Sequence, residues 1–261
     1  VLENVGGLLS SHGGADFAAV WAALSQRGYA FSAVEVDARA FVPQSRPRVF
    51  VIATREPAEA LSSAEPGALH GRAVRLAFEN LPSELKRRWL WWRLPAPLAG
   101  NARLADMLEA DEVVTWRSPE QTGALLAQLS PAHARQWAGA RAGSERVVAA
   151  VFRRIRWQDG VKVQRAELRL DGVAGCLRTP AGGSSRQLLL VGDVTGVRSR
   201  LLTAREGARL MGLPEDYRLP SSQTAAMRLV GDGLAVPVVR FLAEHLLEPL
   251  LTTPVVFAAA E

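Results

Sequence analysis

At 261 residues, with 48% hydrophobic and 22% charged side chains, the chain can bury one large core or two modest ones, which excludes disorder of the whole. One cysteine, Cys176, excludes an internal disulfide and a cysteine-rich zinc site, and His12, His70, His133 and His245 have no metal-ligand spacing, so no metal is expected. The net charge of +5, carried mostly by arginine, favours a nucleic-acid partner without proving one, because guanidinium groups match phosphates and base edges.

Residues 1–55 read as alternating strand and helix. Leu2 to Val5 fits the end of a buried strand, broken by Gly6-Gly7. Asp16 can cap a helix whose stripe is Phe17, Val20, Trp21 and Leu24, with Gly28 as a left-handed stop. Tyr29 to Val36 is β-rich, and Val49 to Ile52 is an apolar run typical of a strand covered on both faces. The link between them is too short for a crossover helix. An antiparallel pair is expected, with Gln44, Arg46 and Arg48 on or beside its loop.

Residues 56–200 change character, with turn signals at Glu65-Pro66-Gly67 and Asp159-Gly160. Leu85 to Trp92 predicts a helix whose end is packed by Trp89, Trp91 and Trp92 under arginine stems. Phe152 to Trp157 suggests a strand with an arginine face (Arg153, Arg154, Arg156), and Gln164 to Leu170 continues the alternation. This region is expected to be a separate, mostly irregular, β-containing domain. In residues 201–261, Thr203 and Glu206 form a capping box for a helix to about Met211, stopped by Gly212 and Pro214. A later helix carries the stripe Val236, Val239, Ala243, Leu246 and Leu250 and should end at Pro249. Arg240, Glu244, His245 and Glu248 interrupt it, so it reads as amphipathic and not as a membrane span. Nothing at the start resembles a signal peptide, and a soluble, cytoplasmic protein without a membrane partner is expected.

Four ordered stretches now combine. Glu3-Asn4-Val5, Gln44-Ser45-Arg46-Pro47-Arg48, Thr203 to Pro214 and Gly231-Asp232-Gly233-Leu234-Ala235-Val236-Pro237 resemble the later blocks of the C5 cytosine DNA methyltransferases. In that family the first two blocks follow the fifth strand and link the sixth and seventh. The resemblance implies an α/β fold: an incomplete Rossmann-like methyltransferase sheet made of its last strands, an irregular β-containing target-recognition domain, and a C-terminal helix packing back on the sheet. The corresponding divisions are residues 1–55, 56–200 and 201–261.

The resemblance also implies roles. Carbon 5 of cytosine is a poor nucleophile until a cysteine thiolate adds to carbon 6, and negative charge then accumulates toward N3. Glu3 matches the acid that protonates or hydrogen-bonds N3, a task for which burial should keep its carboxyl protonated. Arg46 and Arg48 match the family's arginine pair: Arg48 would hold the O2 edge of the flipped base, and Arg46 would anchor Glu3 or a phosphate. Asp232 and Leu234 fall near the S-adenosylmethionine site, although the family pattern has Asn where Asp232 stands, and Met211 replaces a common Gln. The stretch Cys176 to Gln187 resembles a recognition loop, with Arg178, Thr179, Ser184, Ser185, Arg186 and Gln187 as DNA contacts; it also reads as a polar turn before a strand.

Neither the Phe-x-Gly-x-Gly loop that cradles S-adenosylmethionine nor the Pro-Cys-Gln nucleophile loop occurs in this sequence, and Cys176 lies too late in the chain to replace the latter. The expectation is the base-holding and recognition portion of a methyltransferase, inactive alone. Double-stranded DNA would be its substrate, and two expectations stand for the front half: an interrupted or truncated gene, or a split enzyme with that half on a separate polypeptide. The competing expectation is a non-catalytic DNA-binding module derived from such an enzyme.

Overall fold

The computed structural model describes residues 1–55, 58–143, 145–158, 160–179 and 186–252. The chain divides into two compact units. The first contains Val1–Ala38, Pro47–Leu98 and the described residues from Val238 onward; the second contains Arg39–Arg46 and Ala99–Pro237.

The first unit is built on a three-stranded sheet. Strand β1 (Leu2–Asn4) and strand β2 (Ala30–Asp37) both pair antiparallel with the central strand β3 (Pro47–Thr54), giving the order β1-β3-β2. Val49 to Ile52 are buried on both faces, as the unbroken apolar run predicts. Helix α1 (Ala15–Ser25) covers one face and ends before Gly28, which takes φ +79°. Asp16 lies in its first turn and not at the cap, which is Gly14. Trp21 stacks on Phe31 of β2 with ring centroids 4.6 Å apart. Phe17, Trp21, Phe31, Ala33, Val49, Val51 and Trp89 share one buried cluster.

Two expectations fail here. β1 is an edge strand of the described sheet and is not buried: Leu2 is 55% exposed. Leu85 to Trp92 is not one helix. Helix α2 (Arg72–Glu79) is followed by a short helix α3 (Ser83–Lys86), and strand β5 (Trp91–Trp92) is extended against strand β4 (Ser62–Ser63). The reason is packing. Trp89 enters the cluster beside Trp21, and the Phe31 amide and carbonyl bond Arg88 and Leu90, so the segment runs extended along the outer edge of β2. The same contacts place residues 58–98 in the first unit, within the stretch 56–200 expected to form the recognition domain.

In the second unit, strands β6 (Arg146–Gln158), β7 (Val161–Arg169), β8 (Leu188–Asp193) and β9 (Gly196–Leu201) form an antiparallel sheet ordered β7-β6-β8-β9. Helices α4 (Pro119–Ala127) and α5 (Pro131–Ala142) contribute Leu125 and Trp137 to the core with Ala149, Val151, Leu188 and Leu190. "Mostly irregular" therefore undersells this region. Each helix opens on Ser-Pro, with the hydroxyl of Ser118 or Ser130 accepting from a first-turn amide and the proline at the first helical position. Helix α6 (Ala204–Leu210) has the expected Thr203–Glu206 capping box, and Gly212 stops it at φ +74°. Helix α7 spans Gln223–Asp232.

The final helical stretch departs from its predicted stripe. Val238, Phe241, Leu242 and Leu246 are the buried residues, whereas Val239 is 38% exposed. Helix α8 (Val236–Leu242) passes through a π turn at Ala243–Leu247 into α9 (Glu248–Thr252), so Pro249 does not end it. The wider turn just before accommodates the missing proline donor. Among the described residues no helix is long and apolar enough to cross a membrane.

His70 is buried in the first unit, where Nδ1 accepts from the Gly67 amide at 3.0 Å and the ring meets Trp91 edge-on. Burial pushes its pKa down to about 4. Between an unfolded value near 6.5 and about 4, the unfolded chain binds a proton that the fold refuses, so stability falls as pH drops through that window. Urea titrations at pH 7 and pH 4 should therefore show a loss of roughly 2–3 kcal/mol that is much smaller in His70→Gln. Equal losses in both proteins would remove His70 as the cause.

Candidate active site

The β1–β3 register determines what shares a surface in the first unit. Glu3 stands opposite Phe50. Arg48 lies two residues before Phe50 and so points to the same side, diagonal to Glu3. Val49 and Val51 point to the other side, into the aromatic cluster. The Arg48 side chain reaches across, with Nε 2.7 Å from Glu3 Oε1; 15% of the arginine side chain and 25% of the glutamate side chain remain accessible. Arg48 Nη1 also donates to the Pro47 carbonyl at 2.9 Å. The pair is thus held in place and partly accessible.

Arg46 does different work. It is 4% exposed and belongs to the second unit. Its Nη1 donates to the Leu177 carbonyl at 2.9 Å, and its Nη2 donates to the carbonyls of Gly233 at 2.8 Å and Gly231 at 3.2 Å. Cys176 Sγ lies 3.5 Å from Nη1. The guanidinium is committed to backbone oxygens, which disfavours the phosphate role foreseen for it; within the first unit, the anchor of Glu3 is Arg48. Gln44, buried completely, extends the clamp: its Nε2 donates to the Leu210 carbonyl at 2.7 Å and to Met211 Sδ at 3.3 Å, and its Oε1 accepts from the Leu177 amide. Met211 is therefore a partner of Gln44.

The segment 231–237 is held from several sides within the second unit. A Cβ on Gly231 would stand 2.6 Å from the Arg178 carbonyl carbon and the Thr179 nitrogen, so glycine permits α7 to approach that segment closely. The Asp232 carboxylate accepts from the Thr179 hydroxyl, and Leu234 is 45% exposed. An adenosyl group needs an enclosed apolar slot with directed polar atoms. An already bonded carboxylate and one exposed leucine do not build that slot by themselves.

The expected recognition loop divides. Ser184 and Ser185 lie outside the described residues. Arg178 is exposed. Arg186 is partly buried, donates to the Leu202 carbonyl at 3.3 Å, and has its pKa lowered by burial. Gln187 is only 8% exposed and ties backbone together: its Nε2 donates to the carbonyls of Val151 and Leu188, and its Oε1 accepts from the Gly175 amide. Its geometry is that of a core amide, contrary to its expected DNA contact.

The sequence reading also missed a buried ion pair behind α6. Arg200 Nη1 and Nη2 meet Glu206 Oε2 and Oε1 at 2.8 and 2.6 Å, with both side chains essentially inaccessible. Glu206 further accepts from the amides of Thr203 and Glu109. The capping-box pattern identified Glu206 as a local helix start; nothing local reveals that it also neutralises an arginine on a strand.

Removing a buried charged donor leaves its acceptors desolvated and unpaired. Arg46→Ala should cost about 3–5 kcal/mol in chemical denaturation. Arg48→Ala, at a pair whose side chains are 15% and 25% accessible, should cost less, about 1–2 kcal/mol. Equal costs would contradict this division of labour.

The family model described as C-5 cytosine-specific DNA methylase matches residues 1–248. The type II methyltransferase M.NlaX of Neisseria lactamica is 24% identical over 247 residues, covering 94% of this chain and 61% of the relative. M1.ScrFI of Lactococcus lactis subsp. cremoris is 45% identical over 51 residues, 20% of this chain and 13% of that protein. Among solved structures, the Entamoeba histolytica methyltransferase EhMeth aligns with a TM-score of 0.51 at 14% identity, covering 95% of this chain and 62% of its own, a likeness of fold. The chain thus spans 61% of the length of its N. lactamica relative. With the Glu-Asn-Val and Gln-Ser-Arg-Pro-Arg stretches held as described, and with the family pattern running through nearly all of the sequence, the chain belongs to the C-5 cytosine-specific DNA methylase family.

Proposed function

We propose that the chain is the base-holding and target-recognition portion of an S-adenosylmethionine-dependent DNA (cytosine-5)-methyltransferase. The observation that carries the reading is the reachable Glu3–Arg48 pair, 2.7 Å apart on one face of the β1–β3 ladder. In this reading β1, β2 and β3 serve as the fifth, sixth and seventh strands of the catalytic sheet, and the outer edge of β1 accepts a further strand.

Glu3 and Arg48 then act on an extruded cytosine. The thiol adds to carbon 6, the ring electrons shift toward N3, and the Glu3 carboxyl supplies a proton or hydrogen bond there. The Arg48 guanidinium holds one carboxyl oxygen and stabilises negative charge at the O2 edge. The methyl donor supplies the electrophilic methyl group. Arg46 positions the segment bearing Asp232 and Leu234, the edge of the donor site, through the carbonyls of Gly231 and Gly233. Arg178, Thr179, Ser184, Ser185 and Arg186 remain the DNA-facing candidates of the recognition loop.

Cys176 is packed against Arg46 and its thiol faces the Leu177 carbonyl at 3.5 Å, an environment suited to packing. The attacking thiol in this proposal comes from protein outside these residues, as a preceding segment or a separate polypeptide.

With labelled donor and duplex DNA, the chain alone should transfer no methyl groups. Combined with a segment carrying Pro-Cys-Gln, it should transfer them. In that assembly Glu3→Gln should lower kcat by about 10²-fold with DNA affinity kept within about threefold, and Cys176→Ala should leave the rate intact. An unchanged rate in both Glu3→Gln and Arg48→Ala would sink the site assignment.

A further inference from the structure

A two-stranded ribbon projects from the second sheet. β6 is 13 residues long, yet β8 pairs only with its residues 146–151; from Phe152 onward its strand partner among the described residues is β7. Seven residues at about 3.3 Å each make an arm of roughly 23 Å. Its root is fixed, since the Ala166 amide donates to the Gln128 carbonyl at 3.0 Å and Leu129 bridges Ala166. Its two faces differ in kind.

On one face Arg154 and Arg156 share the single carboxylate of Glu167 and Arg165 bonds the neutral Gln158 amide, so its guanidiniums are tied to neighbouring side chains although the face stays positive. The other face presents Arg153, Ile155 and Trp157 of β6, with Lys162 opposite Trp157 and Gln164 opposite Ile155. All five are exposed. Trp157 is 69% and Ile155 65% accessible. Among the described residues of the ribbon, this face contains no carboxylate. Lys162 Nζ sits 5.2 Å from the Trp157 ring centroid, so the cation and the indole form one surface.

Large apolar side chains left in water mark a contact surface. Interleaving them with unneutralised cations and an amide selects a polyanion with apolar edges over an apolar protein groove. A two-stranded ribbon also fits the major groove of duplex DNA, which is about 12 Å wide. Resting on the DNA reading proposed above, we infer that this face of the ribbon is a DNA-contact arm. Arg153 and Lys162 bond phosphates, Gln164 meets base or backbone polar atoms, and Ile155 and Trp157 pack on sugars or base edges. This surface is separate in sequence from the 178–187 loop.

The test is anisotropy of labelled duplex DNA titrated with the chain across a salt series. Arg153→Thr with Lys162→Thr, both conservative for a strand, should weaken binding about tenfold and lower the slope of log affinity against log salt by about 2. Trp157→Thr should weaken binding severalfold with the slope unchanged, because it removes no charge. The control pair Arg72→Thr with Arg87→Thr removes the same charge from exposed positions of the first unit. If the control loses as much as the ribbon pair, or if the ribbon variants bind as the parent does, the arm is wrong and the DNA reading survives. If the ribbon variants change self-association alone, the surface is a protein interface and the inference falls. If the parent chain does not bind duplex DNA at all, both readings fail together.

Discussion

A buried guanidinium organises the second unit. Desolvating a cation costs several kcal/mol unless oxygens replace the lost water. Arg46 finds those oxygens on Leu177, Gly231 and Gly233, residues 131 to 187 positions away in sequence. Satisfying one cation therefore fixes three backbone segments against each other: the 44–46 loop, the start of the recognition stretch and the end of α7. The neighbouring requirements follow from that approach. Gly231 must lack a Cβ because the backbone of Arg178 and Thr179 lies where it would stand. Gln44 satisfies the Leu177 amide and the carbonyl of Leu210 at the buried end of α6 in the same layer.

The five-residue motif around this cation thus serves two purposes with one period. Gln44 and Arg46 alternate inward to build the second unit, and Pro47 then opens β3, where a missing donor is tolerated at the first strand position. Continuing the alternation puts Arg48 on the face it shares with Glu3. Two arginines that look interchangeable in sequence differ in accessibility, in partners and in what their loss would do. Under the proposed function, a kinetic defect from Arg46 substitution would report misplacement of the segment it holds, whereas the same defect from Arg48 would report loss of a contact to the base.

Legibility in the sequence followed the range of the signal. Helix α1, the β2–β3 pair, the stop at Gly28 and the Thr203–Glu206 box are specified within a few residues, and they form as the pattern dictates. The reading of Leu85 to Trp92 failed because Trp89 answers to Phe17, Trp21 and Phe31, contacts that no local window contains. The same long-range contacts carry residues 58–98 into the first unit. Helices α4 and α5 were legible and overlooked: Ser118-Pro119 and Ser130-Pro131 are ordinary helix starts. For the candidate site, the residue types pointed to Glu3 and Arg48, but only the register could separate Arg48 from Arg46. Gln187 shows the converse error, since a polar residue beside a supposed recognition loop was read outward when the orphan backbone groups of Val151, Leu188 and Gly175 required it inward.

These distinctions change what the +5 charge means. An arginine pool measures affinity for a polyanion only through the cations that solvent, and hence phosphate, can reach. Arg200 is cancelled at bonding distance by Glu206, and Arg46 spends its donors on carbonyls, so neither presents a phosphate-binding fork. Arg154 and Arg156 share one carboxylate at the surface. Both faces of the ribbon keep positive charge, but Arg153 and Lys162 stand with no carboxylate beside them and are flanked by exposed apolar area. Clustering of this kind, more than total charge, separates an arginine-rich protein that binds nucleic acid from one that merely contains arginine.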